Sequence, residues 1–232
     1  MINKWNLFVE VFLHKGGYQE VLVGIRNTLI IAIGALIIGI LLGTVIAACE
    51  VVVTKNPVVK VLKKVCQAYV AFFRGTPIVV QLLLGYFVIL PLIGISWNSV
   101  LVAVLIMGLN SAAYTSEIMR SGILSVDPGQ MEAGRALGLS YSTTMMNVIL
   151  PQAIKNILPT LGNELISLVK ETSVVSFIGV VDLYKAFRSI ASSNYEYMVP
   201  FLVMALIYII MILVITGLLR IMERGLRSSD KH

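Results

Sequence analysis

Glu164 stands in an otherwise apolar stretch, and the polar residues around it recur at helical spacing. Plotted at about 100° per residue, Asn156, Thr160, Asn163, Glu164, Ser167, Lys170 and Glu171 fall within an arc of about 120°. Ile157, Leu158, Leu161, Leu165, Leu168 and Val169 take the opposite side. An ionised side chain facing hydrocarbon costs ~2.5 kcal/mol or more. This face must therefore line a water-filled path, form a polar site or make a buried contact with another helix. A carboxylate so placed can balance an ammonium group or carry a proton. Asn163 and Ser167 flank it with groups able to hydrogen-bond a polar solute, and Thr160 lies one turn away. A salt-bridged helix interface, Glu to Lys, is the plainer alternative. Asn110, Tyr114, Glu117 and Ser121, spaced four, three and four, make a second, weaker stripe, with Arg120 near enough to Glu117 for a local ion pair. On a continuous helix Arg74 and Gln81 share a face at i, i+7. A break at Gly75-Thr76-Pro77 would instead turn backbone groups, and Thr76 with them, toward a site.

The elements that position these residues follow from charge. Between Arg74 and Glu117 there are 42 residues without Asp, Glu, Lys or Arg. One bilayer-spanning helix needs about 20 apolar residues, so this stretch holds two, with the turn at 91–98. The pattern predicts an all-α integral membrane protein of one domain, with five spans at about 27–49, 70–90, 100–120, 156–181 and 197–219. Only 13% of the 232 residues are charged, against ~25% in soluble domains, so little is expected outside the bilayer. Gly34, Gly39 and Gly43 permit close helix contact in span one. At the N-terminus, Trp5, Phe8, Val9, Phe12 and Leu13 form one apolar helical face suited to the membrane surface, and no cleaved signal peptide is expected.

Basic residues orient the chain. Twelve of the 18 fall in the loop between spans one and two, between spans three and four, or in the C-terminal tail. Five (Lys4, Lys15, Arg26, Lys185, Arg188) fall on the other side, and Lys170 lies within span four. Positive residues gather in the cytoplasm, so the N-terminus is expected outside and the C-terminus inside. The net charge of +6 is thus a topological signal, not a nucleic-acid one.

The cytoplasmic segment at about 121–155 carries its own punctuation. Asp127 can cap a helix, Pro128 suits its first position, and Gln130 completes a capping box. Gly138 is free to end that helix with φ > 0, and Ser140 can cap the next, which Pro151 and Pro159 interrupt. Such a short, bounded helix can dock into a partner's groove as a rigid body or lie idle at the interface. No enzyme is expected: His14 and His232 lie near the termini and no nucleophile–base set is visible. No metal or cofactor is expected either. Cys49 and Cys66 lack metal-ligand spacing and read as reduced, structural thiols.

Glu132-Ala133-Gly134, three residues, Gly138, nine residues, then Val148-Ile149-Leu150-Pro151 resembles the EAA loop of ABC importer permeases, with Gly134 in place of Ala and Val148 in place of Ile. The likeness extends to Phe72-Phe73-Arg74-Gly75-Thr76-Pro77, to Ser111-Ala112-Ala113-Tyr114 with Ser116-Glu117-Ile118, and to Asn163-Glu164-Leu165-Ile166 with Lys170-Glu171-Thr172-Ser173. These resemble the polar amino-acid uptake permeases of the histidine, glutamine and arginine type. The resemblance implies a pathway built from two permease copies, identical or not. It implies ATPase subunits docked at Glu132, Ala133, Gly134 and Gly138, and an extracellular or periplasmic amino-acid-binding protein. No GxxxxGK[ST] loop occurs, so the ATPase would be a separate subunit. An ion- or proton-coupled secondary amino-acid transporter working through Glu164 is the alternative.

Overall fold

A computed structural model of the protein describes residues 2–52 and 56–228. Lys55, Lys231 and His232 lie outside them. The order is α1 (Ile2–Val9, extended by a π turn to His14), α2 (Gly17–Val51), α3 (Pro57–Gly75), α4 (Ile78–Leu92), α5 (Ser99–Leu124), α6 (Gly129–Ala136), α7 (Tyr141–Thr144), α8 (Leu150–Glu171), α9 (Leu183–Asn194) and α10 (Met198–Ser228). A π segment, Met145–Ile149, joins α7 to α8, and a 3-10 segment, Thr172–Ile178, follows α8.

Among the described residues α2, α5 and α10 are long and apolar enough to cross a membrane. The pair α3 and α4 counts as a fourth crossing only if taken together, for their axes differ by 105°. The expected second span at 70–90 is therefore not one helix. Pro77 has no N–H to donate and pushes Thr76 out of the α region, to φ −123°, ψ 144°. The expected span at 156–181 also changes. Its helix starts at Leu150 and ends at Glu171, tightening into 3-10 geometry before Gly179 turns the chain at φ +85°. Its 22 residues are enough for about 33 Å, but the polar stripe keeps it from reading as apolar. The first helix begins ten residues before the expected 27, since α2 carries Glu20 and Arg26 on a polar extension.

α2 packs along α5 more extensively than any other pair of elements. Gly39 and Gly43 make this possible: a Cβ at either would collide with Ser111, or with the backbone of α5 at Ser116. Thr115 then donates to the Gly39 carbonyl at 2.6 Å. Gly34 meets Val104 in the same seam. The central core lies where Ile31, Ala35, Leu82, Ala103, Met107 and Leu168 meet. The N-terminal helix does more than rest on a surface. Phe8 is buried against Leu183, Phe187 and Ile190 of α9, while Trp5 and Leu13 of the same apolar face stay exposed. Cys66 is buried and Cys49 half-buried, both as free thiols.

Between α8 and α10 the chain is pinned to α2. Asn27 donates to the Val181 carbonyl at 2.8 Å, and the fully buried Asp182 caps α9 by accepting the N–H groups of Tyr184 and Lys185, each at 3.0 Å. Burial pushes this carboxyl up to about 6, against the pull of those N–H groups. Because the folded value exceeds the unfolded one, the stabilisation linked to protonation is complete below about pH 4 and is lost as pH rises through about 6. Asp182→Asn keeps a neutral capping group at every pH. The melting temperature of the wild type should therefore fall relative to that of the variant between pH 5 and pH 7.5, by the equivalent of ~1.4 kcal/mol at most, one pKa unit's worth. Parallel melting curves over that range would show that the Asp182 carboxyl does not titrate there.

Candidate functional site

The break between α3 and α4 is held by one side chain that sequence reasoning passed over as a site residue. At the end of α3 the carbonyls of the last turn lose their helical partners. The Gln81 amide replaces them: Nε2 donates to the Phe73 carbonyl at 2.9 Å, the Thr76 carbonyl at 3.0 Å and Thr76 Oγ1 at 2.8 Å. Its Oε1 accepts from Asn110 Nδ2 at 2.9 Å, and that amide also donates to Phe73 at 3.2 Å. Thr76 Oγ1 donates in turn to the Phe72 carbonyl at 2.8 Å. Thr76 and Asn110 thus meet in a knot of hydrogen bonds that ties α3 and α4 to α5. Arg74 and Gln81 do not share a face, because the bend lies between them.

What the break releases is the end of α3. Tyr69 donates to the Leu109 carbonyl of α5 at 2.6 Å, and Arg74 comes to rest over the Tyr114 ring, 5.5 Å from its centroid. The two polar stripes now face each other. α5 brings Tyr114, Glu117 and Ser121, with Ser125 just past its end, and α8 brings Asn156, Thr160 and Glu164. With Arg74 they enclose a cleft of about 660 Å³, a size suited to a small solute. Asn163 is exposed and Ser167 half-buried, and the cleft wall includes neither, nor Thr76 or Asn110.

Across the cleft the stripes are joined by specific bonds. Ser111 Oγ donates to the Glu164 carboxylate at 2.8 Å, and Asn156 Nδ2 donates to Ser125 Oγ at 2.9 Å. At one end Glu117 accepts from Arg120 Nη2 at 2.9 Å and Nε at 3.3 Å. Arg74 stands 3.8 Å from Glu117, and Arg120 3.8 Å from Glu50 of α2. The expected Glu117–Arg120 pair is thus part of a four-residue network spanning α2, α3 and α5. No hydrogen bond from Lys170 reaches Glu164; both Lys170 and Glu171 are exposed. Ser111 and Glu50 carried no periodic signal of their own.

A second feature stands apart. Glu132 and Ala133 are exposed on α6, while Gly134 is buried. A Cβ at Gly134 would lie 2.6 Å from Thr144, so glycine where Ala is usual lets α6 close onto α7. Gly138 adopts φ +78°, and Ser140 Oγ accepts the Thr143 N–H at 3.1 Å to cap α7. Asp127 accepts the Gly129 N–H at 2.8 Å, and the N–H of Gln130 bonds the Asp127 carbonyl in place of a capping box.

Comparison with known proteins gives a consistent picture. Residues 35–228 match the family described as binding-protein-dependent transport system inner membrane component. The chain is 40% identical over 210 residues to the arginine transport system permease protein ArtQ of Bacillus subtilis (strain 168), covering 90% of this chain and 94% of that one. It is 40% identical over 203 residues to a putative glutamine transport system permease protein GlnP of Rickettsia bellii (strain RML369-C), covering 88% and 91%. It also resembles the crystal structure of an amino acid ABC transporter with histidines, with a TM-score of 0.82 and 40% identity over 92% of this chain and 98% of that one. An inward-facing MetNI methionine ABC transporter shares the fold at a TM-score of 0.73 and 19% identity.

The knot at the break makes a direct prediction. Gln81→Leu removes the donor for two backbone carbonyls and the acceptor for Asn110. At about 1–3 kcal/mol for each buried group left unpaired, thermal unfolding of the purified protein should shift down by several degrees. Asn110→Ala should give a smaller shift. An unchanged melting temperature in Gln81→Leu would mean that the bend does not depend on this amide.

Proposed function

The chain belongs to the family of inner-membrane components of binding-protein-dependent transport systems, and on that premise we propose that it is a permease subunit of an ATP-driven importer of polar amino acids. It is a transport component, not an enzyme. The observation that carries the reading is the cleft between α5 and α8. Two polar stripes on membrane helices face each other there across a solute-sized space, with a carboxylate in its wall. Every amino acid carries an α-ammonium group, and a low-dielectric site needs a counter-charge for it. Glu164 supplies that charge, Thr160 and Asn156 add hydrogen-bonding groups, and Asn163 and Ser167 continue the polar face beside it. Thr76 and Asn110 act by holding the break that brings Arg74 to the cleft.

The rest of the reading is organisational. The chain acts as a single membrane-embedded domain in which α8, polar on one face, is the fourth of five spans and lines the path. Its exposed polar face and the small number of helices call for a second permease copy, identical or not, to complete the enclosure. The basic residues support an N-terminus outside and a C-terminus in the cytoplasm. That orientation puts α6 and α7 in the cytoplasm, where Glu132, Ala133 and Gly138 dock into ABC ATPase subunits and Gly134 sets the angle of the pair. Leu137, 80% exposed beside them, is an apolar residue awaiting a partner surface. A binding protein on the outer side delivers the solute, and lipid covers the apolar flanks. Family membership displaces the ion-coupled alternative.

Two experiments test this reading. Glu164→Gln keeps shape and removes charge; uptake should fall and selectivity should change most for cationic amino acids, with the ATPase still bound. Competition among arginine, histidine and glutamine on the reconstituted variant measures it, and a selectivity profile matching the parent would refute the assignment. For the docking element, Glu132→Lys reverses a charge and Gly138→Val forces a branched side chain into φ +78°. Each should weaken ATPase co-purification or uncouple transport while leaving membrane insertion intact. Parental transport and ATPase stimulation in both variants would remove the docking role.

A further inference from the structure

The guanidinium of Arg74 opens onto the same cleft as Glu164, and among the described residues its N–H donors are not taken up by hydrogen bonds. The carboxylate beside it, Glu117, is held by Arg120 through two nitrogens at 2.9 and 3.3 Å. Arg120 also faces Glu50 at 3.8 Å, so one arginine serves both acids. Arg74 stays 3.8 Å from Glu117, an ion pair too long for a hydrogen bond. Its other neighbour is the face of Tyr114, which steadies a flat cation without using its N–H donors. The side chain is 46% exposed, and among the described residues no hydrogen bond to it is found. A planar fork with its donors free is the geometry that takes a carboxylate in two parallel bonds.

We infer that Arg74 is a carboxylate-binding residue of the pathway and the counterpart of Glu164. The cleft takes an amino acid with its carboxylate toward Arg74 and a cationic group toward Glu164. This rests on the reading above that the cleft carries amino acids. It goes further by assigning the solute's negative group to a residue at the end of α3. The division of labour follows from the break at Pro77: a straight helix would have carried Arg74 away from α5, whereas the bend leaves the last turn of α3 over Tyr114.

The test uses the full membrane assembly with its ATPase, in nanodiscs and without binding protein, so that selectivity belongs to the membrane subunits. Binding of L-arginine is compared with that of argininamide, which lacks the carboxylate charge, and agmatine, which lacks the carboxylate altogether. The wild type should prefer arginine to both. Arg74→Gln should weaken arginine binding roughly ten- to hundredfold and leave agmatine within about twofold, the selective loss expected when a charged hydrogen-bond pair is removed. Arg74→Lys should show a smaller loss of the same selectivity, and it carries the test if the glutamine variant fails to assemble. Parental arginine affinity in the variants, or equal weakening of arginine and agmatine, overturns the assignment while leaving the cleft as the pathway. A wild type that binds none of arginine, glutamine or histidine overturns the pathway reading, and this inference with it.

Discussion

The cost of placing polar groups in hydrocarbon governs this structure. α8 carries a carboxylate and several amides and hydroxyls along one face, and lipid cannot cover that face cheaply. α5 meets part of the demand: Ser111 bonds Glu164 and Ser125 bonds Asn156. Two bonds do not consume the polar capacity of two stripes, so a cleft remains between them. Glycines in α2 let that helix close onto α5 beside the stripe, so the α2–α5 pair forms a tightly packed wall from which the stripe of α5 projects.

The broken helix answers the same constraint in another way. Unpaired carbonyls in the low-dielectric interior are as costly as unpaired side chains, and Pro77 creates several at once. Gln81 and Asn110 absorb them in a compact network. The arrangement turns a helix break into a fixed bend, and the bend presents Arg74 to the cleft. Charge is then balanced around Glu117 by two arginines and a second acid, drawn from three helices. Such a network ties together segments distant in sequence, and any movement of α3 against α5 must rearrange it.

Much of this was legible in the sequence, and the remainder was hidden for identifiable reasons. The uncharged stretch between Arg74 and Glu117 and the polar periodicity from Asn156 to Glu171 pointed to membrane helices and to a helix with one polar face, because both depend on local spacing. Gly138 and Ser140 announced the turn and cap found between α6 and α7, since capping is local chemistry. The grouping of Glu164 with Ser111, or Gln81 with Phe73 and Asn110, depends on which helices become neighbours, and periodicity within one helix carries no such information. The size of the bend was equally hidden. Pro77 signals a break, but the 105° between α3 and α4 reflects packing against α5. The N-terminal helix shows the same limit: Phe8 of its apolar face packs on α9, and periodicity within one helix cannot name that neighbour.

If the space between α5 and α8 is the route taken by the solute, its wall must be open to water while transport runs. The most direct measurement is accessibility at Thr160, whose side chain lines the cleft. A Thr160→Cys variant, with Cys49 and Cys66 replaced by serine, is assembled with its ATPase and treated with a small water-soluble thiol reagent during ATP turnover. Steady labelling is expected, slowed by arginine or glutamine in excess and unaffected by a solute that is not transported. A cysteine that resists the reagent under turnover, or that is labelled at the same rate with and without amino acid, would contradict it.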